Sequence, residues 1–258
     1  MCSADARIYN SERLAACYAA DRPLVHAAIC ARLFSMLGAA YSRGRSLDVG
    51  CGAGASTLAL LQHSAHLTGV DPSPLMLRHA RTLVPAATFV RGSAEALPLG
   101  SRAYDLVTAA GSLNYADVRG AMSEIARVLT VGGHFAPYDF STGCVHPKKS
   151  QAVNCFGAFE RAFPWPPGYS LDLAALPYRE YGMTLLVHEQ FPVEIVMSET
   201  QYIRYVMSET NVEAAIAGGI GESEARETCR RIFEPLFTGR LMPVTFGAEF
   251  ALARTDNL

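Results

Sequence analysis

Residues 47–54 read LDVGCGAG, an apolar stretch that runs directly into three glycines. A helical pattern follows from Ala55 to about His63. Glycines accept positive φ angles and let a ligand approach the bare backbone. A turn of this kind also presents the first amide groups of the following helix. The stretch therefore predicts a strand, a tight turn and a helix that together bind a nucleoside-like ligand.

Strand-like and helix-like segments alternate along residues 45–140. Such alternation is typical of a parallel sheet with helices on both faces. We therefore predict an α/β fold with a doubly wound, Rossmann-like, mostly parallel seven-stranded sheet. N-terminal helices precede this sheet, and a cap or insertion follows strand five. Eight strand-like stretches, one more than the seven strands of the predicted sheet, lie at 45–50, 67–70, 88–90, 104–108, 134–137, 184–187, 191–197 and 245–253.

The predicted fold divides into three segments. Residues 1–36 form an N-terminal helical cap, residues 37–140 form the cofactor-binding core, and residues 141–258 form a substrate cap and complete the sheet. Pro137 has no N–H to donate to a neighbouring strand, so we expect the fifth strand to end near it. No linker-like composition separates the last segment as an independent domain.

The composition is that of a globular chain with a sizeable core. Of 258 residues, 50% are hydrophobic and 18% are charged, and the net charge is −2. So small a net charge provides no field that would gather nucleic acid or an acidic membrane surface. No apolar run is long enough to span a bilayer, and the first residues lack a signal-peptide pattern. We expect a cytoplasmic monomer or homodimer that acts on a small molecule, with no nucleic-acid or membrane partner.

Seven cysteines are dispersed along the chain, and none forms a C-x-x-C pair. Scattered cysteines in an odd number are typical of free thiols in a reducing compartment. A zinc site needs clustered ligands, and the sequence shows no such cluster. We therefore expect no metal and a chain with reduced thiols.

Polar or small residues follow each of the first four predicted strands. These segments are Asp48–Gly54, Asp71, Ser93–Glu95 and Ala109–Ser112. Ligands of open parallel sheets bind outside the carboxyl ends of the strands, at the point where the strand order reverses. The topology therefore predicts that the four segments meet in one crevice.

The glycine spacing separates two kinds of nucleotide site. The spacing is Gly50-x-Gly52-x-Gly54, whereas the dinucleotide fingerprint is G-x-G-x-x-G. Asp48 would repel a pyrophosphate at this turn, so a cofactor with a cationic amino-acid end fits better. Asp71 ends the second predicted strand, where an acidic side chain can accept both hydroxyls of an adenosine ribose.

These motifs resemble those of class I S-adenosylmethionine-dependent methyltransferases, in the ubiquinone-biosynthesis-like, type 11 branch. The resemblance covers about residues 15–140. It departs at residues 112–115, which read SLNY, where many relatives have a histidine-rich segment. The similar segments are an N-terminal signature at 18–23, motif I at 47–54, the ribose position at 71–73, the adenine segment at 92–99, and later motifs at 104–107 and 127–133.

The resemblance implies S-adenosylmethionine as the cofactor and S-adenosylhomocysteine as its product. It implies that the Gly50 backbone holds the methionine amine and that Asp71 binds the ribose hydroxyls. Arg22, with Tyr18, reaches the methionine carboxylate in this interpretation, and a surface ion pair is the alternative role for Arg22. The implied cofactor-binding residues are Tyr18, Arg22, Asp48, Gly50, Cys51, Gly52, Asp71, Pro72, Met76, Ser93, Ala94, Glu95 and Ala110.

The acceptor of the methyl group is less clearly marked, and we assign no catalytic residue. Methyl transfer requires an aligned nucleophile, and it requires a base only when that nucleophile arrives protonated. The aromatic, weakly charged residues after position 140 favour an apolar or aromatic acceptor that attacks through O, N or C. The candidate pocket residues are Tyr138, Asp139, His146 and Trp165.

Two other functions stay open at this point. The first is a regulatory module that binds the cofactor without turnover. The second is a nicotinamide-dependent oxidoreductase. Asp48 and the glycine spacing count against the second alternative.

Overall fold

The computed structural model describes residues 9, 11–38, 41, 44–145, 149–165 and 171–256. Within these ranges the strands form one mixed sheet, and helices lie before the first strand and between the strands in the chain. The strands are β1 (Arg45–Val49), β2 (His66–Asp71), β3 (Thr88–Arg91), β4 (Tyr104–Ala110), β5 (Leu129–Phe140), β6 (Cys144–Val145), β7 (Met183–Met197) and β8 (Met242–Thr255). The helices are α1 (Glu12–Asp21), α2 (Val25–Leu37), α3 (Ala55–Leu60), α4 (Pro74–Leu83), α5 (Val118–Val128), α6 (Lys149–Ala162), α7 (Glu199–Val206), α8 (Thr210–Ala217) and α9 (Glu222–Phe233).

The strand order in the sheet is β3-β2-β1-β4-β5-β8-β6, and β7 pairs with the other edge of β8. Strands β1 to β5 pair in parallel, whereas β8 is antiparallel to β5, β6 and β7. The order reverses between β1 and β4, so a ligand is expected at their carboxyl ends. The prediction of a mostly parallel, doubly wound sheet is confirmed, and the two-residue β6 adds an eighth strand to the seven expected.

Alternate residues of the central strands face two different hydrophobic layers. Leu47 and Val49 of β1 pack in one cluster with Ile125 of α5. Leu106 of β4 belongs to the cluster on the other face, which also contains Ile29 of α2. Because side chains alternate along a strand, Asp48, which lies between Leu47 and Val49 on β1, faces away from α5.

Side-chain caps define where two site-forming helices begin. The Ser73 side chain accepts a hydrogen bond from the Met76 N–H at the start of α4, and Pro74 occupies the first turn. Proline suits this position because its missing N–H would have no partner inside the helix. The Asp117 side chain caps α5 by accepting from the Gly120 N–H, as the sequence predicts.

Two strand boundaries differ from the prediction. Strand β5 continues past Pro137 to Phe140, and Pro137 lies opposite Ala109 of β4. Pairing with β8 stops after Phe135 and resumes at Tyr138, so the missing proline N–H interrupts the ladder without ending the strand. The two strands predicted at 184–187 and 191–197 are one continuous strand, β7.

The chain after β5 both completes the sheet and adds a helical layer. Helix α6 lies between β6 and β7 in the chain, and α7 to α9 lie between β7 and β8. Aromatic contacts join these helices, since the Phe233 ring lies 5.3 Å from Phe159 and 5.2 Å from Tyr202. The assignment of this layer as a substrate cap, and the three-segment division, stay predictions. No helix among the described residues is long and apolar enough to cross a bilayer.

Candidate active site

A cavity of about 370 Å³ lies at the carboxyl ends of β1, β2, β4 and β5. It brings together most of the residues that the sequence indicates as cofactor-binding. The predicted residues on its wall are Tyr18, Arg22, Gly50, Gly52, Asp71, Pro72, Met76, Ser93, Ala94, Glu95 and Ala110. The convergence follows from the topology, because parallel strands end at the same edge of the sheet.

Asp71 is held rigidly at the end of β2. Its Oδ2 accepts a hydrogen bond from the Gly52 N–H at 2.9 Å, and its Oδ1 accepts one from the Ser73 N–H at 2.8 Å. Burial raises the pKa of the Asp71 carboxyl to about 6, while those two N–H groups oppose the rise. Each carboxylate oxygen has a second lone pair, so Asp71 can accept two further hydrogen bonds from a ligand with neighbouring hydroxyls.

Asp48 lies beneath the cavity rather than on its wall. The side chain is fully buried, and its Oδ2 accepts hydrogen bonds from the Ser56 and Thr57 hydroxyls, both at 2.7 Å. The Thr108 hydroxyl donates to Oδ1 at 3.2 Å. Burial raises the pKa of the Asp48 carboxyl, and the three hydroxyls oppose that rise. Asp48 therefore joins β1, α3 and β4 below the glycine turn, and it is not among the residues that line the cavity.

Cys51 is the second predicted residue that lies off the cavity wall. Its side chain is buried and packs with Leu77, Ala80 and Phe89. Burial raises the pKa of the Cys51 thiol well above its usual range. Since the thiolate is the reactive form, Cys51 acts as a small packing residue and not as a nucleophile.

We expect Asp48→Asn to be more stable than Asp48→Ala by about 2–3 kcal/mol. Asparagine keeps the shape and an oxygen acceptor for the hydroxyls, whereas alanine leaves three buried hydroxyls without this acceptor, at a cost of about 1–3 kcal/mol for each one that finds no replacement. Urea unfolding of the two variants without ligand measures the difference. Equal stabilities would show that the Asp48 network does not hold β1, α3 and β4 together.

Arg22 forms a buried ion pair at the rim of the cavity. Its Nη1 donates to Glu209 Oε1 at 3.0 Å, and its Nη2 donates to the Tyr18 hydroxyl at 2.5 Å. The guanidinium carbon also lies 4.2 Å from the centre of the Tyr18 ring. The exposed fractions of the Arg22 and Glu209 side chains are 10% and 5%. Arg22 therefore does form an ion pair, as the alternative role expects, but the pair is largely buried and lies on the cavity wall.

Several wall residues have no assigned role in the sequence interpretation, and Tyr9 and Tyr115 are the clearest examples. The Tyr9 hydroxyl donates to the Tyr115 hydroxyl at 2.7 Å, and the Tyr9 carbonyl accepts from the Ser73 hydroxyl at 2.9 Å. The Tyr115 hydroxyl also lies 3.0 Å from Thr210 Oγ1. Tyr9 thus connects the chain before α1 with α4 and α8. In the sequence, Tyr115 is distinguished only by its place in residues 112–115 (SLNY), where the chain differs from the pattern of the proteins it resembles.

The residues predicted to line an acceptor pocket separate in the structure. Tyr138 is buried, and its hydroxyl lies 3.0 Å from His26 Nδ1 on α2. Trp165 lines a second cavity of about 800 Å³, and Asp139 lines both cavities. His146 lies outside the described residues. Because Tyr138 and Asp139 are neighbours on β5, their side chains point to opposite faces of the sheet, and only Asp139 reaches the cavities.

Comparison with known proteins identifies the same segment of the chain. Residues 47–136 match the family model described as a methyltransferase domain. The chain is 42% identical over 96 residues to an uncharacterized methyltransferase of Synechocystis, which is 36% of this chain and 45% of that protein. It is 32% identical over 102 residues to the ubiquinone/menaquinone biosynthesis C-methyltransferase of Campylobacter jejuni, which is 36% of this chain and 43% of that protein. The matched region thus spans less than half the length of these relatives.

The fold comparison extends over most of the chain. A candidate type II methyltransferase from Anaeromyxobacter dehalogenans superposes with a TM-score of 0.67 at 20% identity, covering 90% of this chain and 97% of that one. Identity at this level shows a shared fold. Residues 47–136 are therefore similar in sequence to methyltransferase domains, and the chain shares its fold with a candidate methyltransferase over most of its length.

Proposed function

We propose that the protein transfers a methyl group from S-adenosylmethionine to a small-molecule acceptor. The observation that carries the proposal is the position of Asp71. Its carboxylate is fixed by two backbone N–H groups beside the glycine turn, and it lines a cavity that Ser93 and Ala94 also line. The match of residues 47–136 to a methyltransferase domain supports the same cofactor, since that cofactor supplies an activated methyl group.

The wall of the cavity fits the parts of this cofactor. Asp71 accepts the two ribose hydroxyls, and Arg22 with the Tyr18 hydroxyl faces the methionine carboxylate. Met76 and Ala110 provide apolar surface, while Ser93 and Ala94 contact the adenine edge. The surroundings of Gly52 agree with this fit, because a Cβ added there would meet no atom of the described residues within 4 Å, its two chain neighbours aside. The space beside Gly52 is therefore left open by the protein.

The residues around the cavity have two tasks in this proposal. Asp71 holds the ribose and Arg22 the methionine carboxylate, on the two sides of the sulfonium centre, which orients the methyl group before the acceptor arrives. Tyr9 and Tyr115, joined through their hydroxyls, cover the cavity and restrict water. The acceptor itself is proposed to be apolar or aromatic, because the second cavity is lined by phenylalanine and tryptophan side chains.

Two measurements test the proposed function. Calorimetry with S-adenosylhomocysteine should show saturable binding, and incubation of the protein and a metabolite extract with methyl-labelled cofactor should yield a labelled small molecule. Binding without labelled product would favour the regulatory module without turnover. Binding of reduced nicotinamide cofactor in place of S-adenosylhomocysteine would favour the oxidoreductase.

We expect S-adenosylhomocysteine affinity to fall as the pH is lowered from 8 to 5. The ionised form of Asp71 accepts both ribose hydroxyls, and its pKa is raised to about 6 by burial. Affinity should therefore decrease below pH 6, approaching about tenfold per pH unit. His26 on the cavity wall stays neutral over this range, since burial lowers its pKa to about 3.

Calorimetry across this pH range measures the effect, and Asp71→Asn provides the comparison. Asparagine does not ionise, so its weaker affinity should vary little with pH. A wild-type profile as flat as that of Asp71→Asn would contradict the role given to the Asp71 carboxylate.

A further inference from the structure

The second cavity lies beside the first, and five aromatic side chains are on its wall together with polar and acidic ones. It is an open groove between α6, β7 and β8, and its volume is about 800 Å³. Phe156, Phe159, Trp165 and Phe191 contribute to its wall. Asp139 and Phe140, at the end of β5, line this cavity and the first one. A molecule in the second cavity would therefore touch the same carboxylate that faces the cofactor site.

The charged side chains described on the wall of the second cavity are all acidic. Asp139, Glu160 and Glu249 are on its wall, and none of the described wall residues is lysine or arginine. Aromatic faces attract cations, and the attraction grows when water is excluded. Carboxylates add to this preference and disfavour anionic ligands. The wall is therefore complementary to a molecule that combines an apolar body with a positive charge.

Asp139 is the carboxylate placed to receive that charge. Its Oδ1 accepts a hydrogen bond from the Phe140 N–H at 2.8 Å, and its Oδ2 accepts one from Asn114 Nδ2 at 3.1 Å. Each oxygen keeps a lone pair for a further donor. Glu249 already has hydrogen-bond partners: His188 Nε2 lies 2.7 Å from its Oε1, and Gln190 Nε2 donates to its Oε2 at 3.1 Å. Glu249 does not line the first cavity.

We propose that the second cavity binds the methyl acceptor and that the acceptor is a basic amine with an aromatic body, its nitrogen held at Asp139. This inference rests on the proposed function. The ammonium group donates to the Asp139 carboxylate and gives up one proton to it. The freed nitrogen lone pair forms the bond to the methyl carbon, the bond from that carbon to sulfur breaks, and its electron pair stays on sulfur. Asp139 ends protonated, and the product is a methylated ammonium.

The surroundings of Asp139 favour this proton transfer. Burial raises the pKa of the Asp139 carboxyl, while the Phe140 N–H and Asn114 oppose that rise. A raised pKa makes the carboxylate a stronger base toward an ammonium group. The charges of Arg22 and Glu209 act on Asp139 in opposite directions, so their ion pair leaves the carboxylate available to a cation.

Trp165 makes the inference testable without turnover, because the chain has one tryptophan. Its fluorescence reports ligands that enter the second cavity. Titrations of the full chain, saturated with S-adenosylhomocysteine, would use 2-phenylethylamine, 2-phenylethanol and phenylacetate, which differ mainly in charge. We expect a saturable change with the amine, about tenfold weaker binding of the alcohol, and weaker binding still of the acid.

Asp139→Asn should remove the preference for the amine and leave the affinity for 2-phenylethanol within about twofold. Glu227→Gln, on the exposed side of α9, should change neither affinity. Equal binding of the three ligands by wild type, tighter binding of phenylacetate, or no response of Trp165 to any of them would overturn the inference. The order of the three ligand affinities in the wild-type protein tests the inference even if Asp139→Asn does not fold.

The same titrations distinguish this inference from the proposed function. If S-adenosylhomocysteine binds by calorimetry but the amine preference is missing, the acceptor assignment is wrong and the cofactor assignment stands. If S-adenosylhomocysteine does not bind, the proposed function itself is wrong, whatever the second cavity binds.

Discussion

Replacing Asp71 by alanine should weaken S-adenosylhomocysteine binding by at least about 100-fold. The carboxylate is positioned by the N–H groups of Gly52 and Ser73 and is expected to accept two ribose hydroxyls. Hydrogen bonds to a charged group contribute about 1.5–3 kcal/mol each, so losing two corresponds to a factor of 100 or more. Calorimetry at pH 8, where the wild-type carboxyl is ionised, gives the full effect.

A matched control separates ligand binding from local folding. Asp172 also accepts backbone hydrogen bonds through its carboxylate, from the Ala174 N–H at 2.9 Å and the Ala175 N–H at 3.3 Å. It does not line the first cavity. Asp172→Ala should therefore loosen a turn while leaving S-adenosylhomocysteine affinity unchanged. If Asp71→Ala binds as tightly as Asp172→Ala, the cofactor is not held at the end of β2.

The topology of the sheet explains how much of this site the sequence could predict. Parallel strands that alternate with helices end at one edge, so Gly50, Asp71, Ser93 and Ala110 had to converge once their strands were recognised. Local signals were equally informative at helix starts, as the Asp117 cap shows. The first cavity is built largely from segments that directly follow strands, and such segments are visible in the sequence.

The remaining details depend on strand alternation and on long-range contacts. Neighbouring residues of a strand face opposite sides of the sheet, so a shift of one residue decides whether a side chain faces a cavity or the core. The sequence places both Tyr138 and Asp139 at the end of the fifth strand, and only Asp139 lines the cavities. The same rule places Asp48 beneath the glycine turn. Tyr9 reaches Thr210 across 201 positions of sequence, and no local pattern predicts that contact.

The glycine turn provides the second large expected effect. Gly50 has a φ of +69°, and a Cβ added there would lie 2.2 Å from Ser112 Cβ and 2.7 Å from Ser112 Oγ. Positive φ costs a non-glycine residue about 1–2 kcal/mol, and overpacking costs about 1–3 kcal/mol more. Gly50→Ala should therefore lose about 3 kcal/mol of unfolding free energy, measured by urea denaturation without ligand.

Gly52 should respond differently although it lies two residues away. Its φ is +52°, but an added Cβ would meet no protein atom within 4 Å, so only the backbone strain of about 1–2 kcal/mol applies. Its side of the cavity is where we place the cofactor. Gly52→Ala should thus lower S-adenosylhomocysteine affinity by about tenfold or more, since the methyl group occupies ligand space.

Gly182 is the control for backbone strain alone. It has a φ of +66° and likewise no protein atom within 4 Å of an added Cβ, yet it does not line the first cavity. Gly182→Ala should lose as much stability as Gly52→Ala and bind S-adenosylhomocysteine like wild type. If both variants keep wild-type affinity, the open space beside Gly52 is not the cofactor's, because a ligand in contact with that backbone must compete with the added methyl group.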